Sequence, residues 1–108
     1  MKLNVENILV VGLGMIGSSI AFAAKSKGIK VNGFDISENV VSKAIDGGII
    51  DAEIKKIEEI NINDIDLIIL AVPPKKTLEL FNKLDYLWNT TVTITDTSSV
   101  KNHIDLKN

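Results

Sequence analysis

Cysteine is absent from this chain of 108 residues, and histidine occurs once, at His103. The lack of cysteine excludes disulfides, thiol catalysis and thiolate metal sites, and it suits a cytoplasmic protein. We therefore predict no metal site. Neither sign of charge is in large excess, since the formal net charge is −2, which gives no electrostatic reason to expect a nucleic-acid partner.

Long uninterrupted apolar runs are also missing. The most apolar stretch, residues 8–24, is broken by three glycines and is too short for a comfortable transmembrane helix. No internal repeat, low-complexity segment or linker divides the sequence. The composition, 45% hydrophobic and 24% charged, predicts one globular domain over residues 1–108 with no membrane partner.

A glycine pattern follows the first β-favouring apolar run. Residues 8–11 read ILVV and lead into a G-x-G-x-x-G hexapeptide and then a helix pattern rich in small residues. In a dinucleotide site, the first glycine permits the sharp turn, the second lets the backbone approach a pyrophosphate, and the third lets helix and strand pack closely. An ordinary tight turn between strand and helix is the alternative. The nucleotide interpretation predicts cofactor contacts from Gly12, Leu13, Gly14, Met15, Ile16 and Gly17.

An acidic residue stands where a nucleotide site requires one. Asp35 follows a second strand pattern and lies 18 positions after Gly17, close to the spacing of about 20 for the carboxylate that holds the adenosine ribose. Such a carboxylate would repel a 2′-phosphate, and the next three residues supply no arginine to receive one. NAD is therefore favoured over NADP. The competing interpretation is that Asp35 caps a helix, a role that Ser37 could fill equally well.

Strand and helix patterns alternate along the chain. We predict strands at 7–11, 29–34, 52–55, 66–72 and 91–95, and helices at 15–27, 38–46 and 75–84, with a helical turn around Glu58 and Glu59. This alternation predicts an α/β fold, a Rossmann-type doubly wound parallel sheet in the order 3-2-1-4-5. The strand ends would bring Ala71, Val72, Pro73 and Asp96 to the same rim as the glycine turn and Asp35. Leu78, Phe81 and Leu84 are predicted to face the sheet, and Tyr86 and Trp88 to anchor the following corner.

Four segments in order, GLGMIGSS, GFD, DLIILAVPP and TDTSSVK, resemble the prephenate and arogenate dehydrogenases of tyrosine biosynthesis. The last segment, with its D-x-x-S-V-K run, is the most selective. The resemblance implies NAD-dependent oxidative decarboxylation of prephenate to 4-hydroxyphenylpyruvate, or of arogenate to tyrosine. It also implies that Ser99 is the active-site serine beside the substrate hydroxyl and the catalytic histidine. A helix cap is the structural alternative for Ser99.

The resemblance further implies that the family's catalytic base lies beyond Asn108, in a glycine-histidine-proline segment. A helical C-terminal domain that dimerises and binds substrate would follow. We therefore expect this chain to bind NAD without turning over substrate, and His103 not to be the base. Two alternatives stay open: another NAD(P) enzyme, such as a 3-hydroxyacid dehydrogenase or a pyrroline-carboxylate reductase, and a non-catalytic nucleotide-sensing module.

Overall fold

The computed structural model describes residues 5–97, in which five parallel strands form one sheet. The strands are β1 (Asn7–Val11), β2 (Lys30–Phe34), β3 (Ala52–Glu53), β4 (Leu67–Leu70) and β5 (Thr93–Asp96). The helices are α1 (Met15–Ser26), α2 (Glu38–Asp46) and α3 (Pro74–Lys83), with 3-10 turns at Ile57–Glu59 and Asp85–Leu87. The strand order β3-β2-β1-β4-β5 confirms the predicted topology.

The central strand β1 explains why its sequence shows no alternation. It pairs in parallel with β2 on one side and β4 on the other, and its two faces lie in two different cores. Ile8 and Val10 pack in a cluster with residues of α1 and α2, whereas Leu9 and Val11 pack with Ile57, Leu84 and Leu87 on the other face. A strand buried on both faces needs apolar residues at every position.

Helix α1 lies close to the sheet because its inner face is small. Its buried residues are Gly17, Ala21 and Ala24. The helix ends at Ser26, and Gly28 follows with a φ of 82°, a left-handed conformation that glycine adopts without a Cβ penalty. Within residues 5–97, none of the helices combines the length and apolar character needed to cross a bilayer.

Two side-chain predictions are wrong, one in helix α3 and one in the corner that follows it. Leu78 is 70% exposed, so the prediction that it faces the sheet is wrong. The residues that pack on the core are Leu80, Phe81 and Leu84, and Leu78 points about a third of a turn away from that stripe. In the corner after α3, Tyr86 bonds to the backbone of the Ile57–Glu59 region, as predicted for an anchor. Trp88 is 59% exposed and belongs to neither core cluster, so its predicted anchoring role is also wrong.

Asp51 joins helix α1 to strand β2 of the sheet. Its carboxylate accepts a hydrogen bond of 2.8 Å from the Val31 N–H, and its own N–H donates to the Val31 carbonyl at 2.8 Å. The Lys25 ammonium lies 3.1 Å from the same carboxylate and donates to the Gly48 carbonyl at 2.8 Å. The backbone hydrogen bond from Val31, helped by the Lys25 charge, lowers the pKa of Asp51 below its ordinary value of 3.8.

We expect Asp51→Asn to lower the free energy of unfolding at neutral pH by about 1 kcal/mol, a value reduced for the partial exposure of the group. Because the folded-state pKa is lowered, the carboxylate's contribution is present above pH 3.8 and is lost as the pH falls through the folded value. Urea unfolding of wild type and variant at neutral pH and in acid would measure this, with Glu53→Gln as control. An equal deficit at both pH values would show that the carboxylate charge is not the cause.

Candidate functional site

The turn after β1 is built on a glycine that no other residue could replace without strain. Gly12 has a φ of 95°, and its N–H donates to the Phe34 carbonyl at 2.8 Å. A Cβ at this position would lie 2.4 Å from the Ala71 carbonyl oxygen. Gly12 therefore allows the ends of β1 and β4 to approach each other closely.

The other two glycines of the hexapeptide have different surroundings. A Cβ at Gly17 would lie 1.8 Å from the Gly12 carbonyl oxygen, so Gly17 allows α1 to pack against the turn. A Cβ at Gly14, which caps the N-terminus of α1, would meet no atom within 4 Å. Open space thus lies in front of the first turn of α1, where helical N–H groups lack intrahelical partners and the helix dipole is positive.

Met15 and Ile16 begin α1 with their side chains in solvent, at 88% and 57% exposure. Their predicted cofactor contacts would therefore come from backbone N–H groups. Leu13, by contrast, is buried, and its N–H is already donated to Asp35.

The Asp35 carboxylate is held in place at the end of β2. Oδ2 accepts the Leu13 N–H at 2.8 Å, and Oδ1 accepts the Ser37 N–H at 2.9 Å. Ser37 is the N-cap of α2 and accepts the Val40 N–H at 3.4 Å, so the helix cap belongs to Ser37 and not to Asp35. An ionised carboxylate has about four acceptor positions, which leaves each Asp35 oxygen able to accept a further bond.

A cleft of 460 Å³ opens at the carboxyl ends of β1, β2 and β4. Its lining residues come from these strand ends, from the Ile57–Glu59 turn and from α3: Val11, Gly12, Gly14, Phe34, Asp35, Ile36, Ile57, Glu58, Ala71, Val72, Pro73, Lys76, Glu79, Leu80 and Lys83. The cleft thus brings together six of the predicted site residues, Gly12, Gly14, Asp35, Ala71, Val72 and Pro73. Ligands of doubly wound sheets bind at this edge, near the switch in strand order.

Five predicted site residues in the described part of the chain do not line the cleft: Leu13, Met15, Ile16, Gly17 and Asp96. Leu13 and Gly17 are buried behind the turn. Asp96 ends β5 opposite Leu70 of β4, at the same edge of the sheet. Ser99 lies outside the described residues, as do Ser98, Lys101 and His103.

One wall of the cleft was not predicted from the sequence. Ile57 and Glu58 contribute from the turn before β4, and Leu80 contributes from α3. At the rim, Glu79 lies 3.7 Å from the Lys76 ammonium and 4.0 Å from that of Lys83. The signal that could have identified α3 is its start directly after Pro73, because a helix that begins at a strand end has its first turns beside the same edge.

The character of the cleft suits a flat organic base joined to an anionic group. Phe34, Ile36, Val72 and Leu80 give it apolar walls, and the open space at Gly14 lies at the N-terminus of α1. In the part of the chain that the structure describes, no group of three His, Cys, Asp or Glu side chains could hold a metal ion.

A sequence model described as "Prephenate dehydrogenase, nucleotide-binding domain" matches residues 20–107. The chain belongs to this family. Among curated relatives, it is similar to the prephenate dehydrogenase of Lactococcus lactis subsp. cremoris, with 37% identity over 102 residues, which cover 92% of this chain and 28% of the relative.

The chain is also similar to two further proteins. The crystal structure of prephenate dehydrogenase from A. aeolicus, in complex with hydroxyphenyl propionate and NAD+, superposes with a TM-score of 0.76 at 33% identity, covering 89% of this chain and 34% of that one. The redox-sensing transcriptional repressor Rex 1 of Enterococcus faecalis is 31% identical over 81 residues, 72% of this chain and 38% of the repressor. The chain therefore spans between a quarter and two fifths of the length of these relatives.

Proposed function

We propose that residues 1–108 form an NAD-binding domain that supplies the cofactor site for oxidative decarboxylation of prephenate or arogenate. The observation that carries this proposal is the open space in front of α1, where Gly14 leaves a cradle that a Cβ would enter. A pyrophosphate is the group that such a glycine and a helix N-terminus bind together. The family membership and the NAD+ complex of the A. aeolicus relative support the same assignment.

Different residues at the cleft would bind different parts of NAD. The backbone N–H groups of Met15 and Ile16 would bind the pyrophosphate, and the free acceptor positions of Asp35 would take the adenosine ribose hydroxyls. Ile36 is 90% exposed in the lining of the cleft and would cover one face of the adenine. A 2′-phosphate would meet the Asp35 charge, so the proposal is for NAD and not NADP.

The bound NAD+ would supply the acceptor for a hydride from the substrate carbon that bears the hydroxyl, in a reaction that would also transfer the hydroxyl proton to a base and release carbon dioxide. The site residues proposed for this rim are Ala71, Val72, Pro73 and Asp96 at the strand ends, with Ser99 as the residue that bonds near the substrate hydroxyl. For the whole protein we propose a homodimeric cytoplasmic enzyme, in which a further helical domain completes the substrate site.

A nucleotide-sensing module is the second candidate, and the similarity to the Rex repressor favours it. Both functions require NAD binding, so binding alone does not separate them. The Asp96–Lys101 run with Ser99 favours the dehydrogenase, because a sensor needs no cluster of serine and lysine beside the nicotinamide position. Prephenate-dependent formation of NADH by the whole protein would decide for the enzyme.

The cradle at Gly14 gives a direct test of binding. We expect Gly14→Val to weaken NAD+ binding more than tenfold in calorimetric titration, because the new side chain fills the space where the pyrophosphate would lie. The fold should tolerate the change at a cost of about 1 kcal/mol, the penalty for an apolar residue at a helix N-cap. Ala23→Val, on the exposed side of α1, is the control and should bind like wild type. Absence of NAD+ binding in the wild type, or full binding by Gly14→Val, would refute the proposed site.

A further inference from the structure

The Tyr86 hydroxyl bridges two backbone groups of a distant segment. Tyr86 lies in the turn after α3, and its hydroxyl donates to the Ile57 carbonyl at 2.5 Å and accepts the Ile60 N–H at 2.8 Å. The two bonds hold the backbone at the first residue of the Ile57–Glu59 turn and at the residue that follows the turn. Burial raises the pKa of Tyr86 above its ordinary value of 10.0, so the hydroxyl keeps the proton that it donates.

The turn has little else to fix its backbone. The strand before it, β3, pairs with β2 through only two residues. Among the hydrogen bonds described for residues 5–97, two connect residues 55–65 to the rest of the fold, and both involve the Tyr86 hydroxyl. The side chain of Ile57 is buried beside Leu84 and Leu87, and these flank the Tyr86 segment.

The same turn is a wall of the cleft. Ile57 and Glu58 line it together with Phe34, Asp35 and Ile36 from the end of β2. The proposed function places the adenosine beside Asp35, which would bind its ribose, and Phe34, the residue before Asp35, packs against the core cluster that contains Ile57. A small shift of the turn would therefore change the width of the adenosine pocket and leave the glycine turn untouched.

We propose that Tyr86 is a positioning residue for cofactor binding: its hydroxyl holds Ile57 and Glu58 at the distance that the adenosine half of NAD+ requires. The inference rests on the proposed NAD-binding function. Tyr86 itself does not line the cleft, so it acts through the turn and not by contact with the ligand.

Tyr86→Phe removes the hydroxyl and keeps the ring. We expect its affinity for NAD+ and for AMP to fall by the same factor, about tenfold, the equivalent of one hydrogen bond. Both affinities are measured by calorimetric titration well below the unfolding midpoint, so that loss of folded protein does not contribute.

Thr90→Val is a closely matched control. The Thr90 hydroxyl also bridges two backbone groups, since it donates to the Leu87 carbonyl and accepts the Val92 N–H at 3.2 Å. Leu87 and Val92 do not line the cleft. This variant should lose stability as Tyr86→Phe does, yet bind NAD+ and AMP like wild type. A purely structural role for Tyr86 would give the two variants the same affinities.

The outcomes separate the two proposals. If wild type binds neither NAD+ nor AMP, the proposed function fails and this inference falls with it. If wild type binds and Tyr86→Phe binds equally well, or loses NAD+ but not AMP, only the positioning role is overturned. The same holds if Thr90→Val weakens binding as much as Tyr86→Phe does.

A measurement on the wild type keeps the test decisive even if Tyr86→Phe fails to fold. Coupling between the Tyr86 bonds and the ligand is reciprocal, so saturating AMP should slow hydrogen exchange of the Ile60 amide several-fold. An exchange rate unchanged by AMP would overturn the positioning role.

Discussion

Gly17→Ala is expected to lower the free energy of unfolding by about 3 kcal/mol, the upper part of the range for overpacking a closed site. The added Cβ would lie 1.8 Å from the Gly12 carbonyl oxygen and 3.3 Å from the Ala71 Cβ. The first contact is with backbone, which no rotamer change can relieve. Helix α1 would have to move away from the sheet, and its buried Ala21 and Ala24 would lose their contacts.

The opposing effect is smaller. Alanine is favoured over glycine inside a helix by about 1 kcal/mol, so propensity alone would make this substitution stabilising. Gly14→Ala is the matched control, because a Cβ there meets nothing within 4 Å, and it should lose only about 1 kcal/mol, the penalty for an apolar residue at a helix N-cap. Urea denaturation followed by circular dichroism measures both. If Gly17→Ala were as stable as wild type, the close approach of α1 to the turn would be wrong.

Much of the fold could be predicted because its signals are local. The apolar run of β1, the glycine spacing and the acidic residue after β2 each lie within a few residues of the feature that they specify. Helix α2 has the predicted bounds, Glu38–Asp46, because Ser37 caps it and Gly47 and Gly48 follow it. The order of the parallel strands then follows from the right-handed crossover connections and the strand order that are typical of doubly wound sheets.

The parts that were missed depend on contacts between distant segments. Pro74 starts α3 one residue before the predicted start, and the helix presents Leu80 to the core where Leu78 had been expected. The wall formed by Ile57 and Glu58 follows a strand of two residues, too short to leave a period in the sequence. Its position is set by Tyr86, 26 residues after Ile60, and no local pattern indicates that pairing.

The second large effect is expected at Asp35, where Asp35→Ser should change the ratio of NAD to NADP affinity by about a hundredfold. In the wild type, a 2′-phosphate would be placed beside a carboxylate whose orientation is fixed by the Leu13 and Ser37 N–H groups. Two like charges about 4 Å apart repel by about 4 kcal/mol at a protein surface before screening. Serine removes that repulsion, and it also removes the charged acceptor for the ribose hydroxyls of NAD.

The ratio, and not either affinity alone, is the quantity to compare. Asp35→Ser also leaves the N–H of buried Leu13 without its partner, which costs about 1–3 kcal/mol and weakens both cofactors through the glycine turn. That loss cancels in the ratio. Asp46→Ser, exposed at the other end of α2, makes the same substitution with the same change in net charge, and should keep the wild-type ratio. Titration of each protein with both cofactors gives the result, and an unchanged ratio in Asp35→Ser would remove Asp35 from the cofactor site.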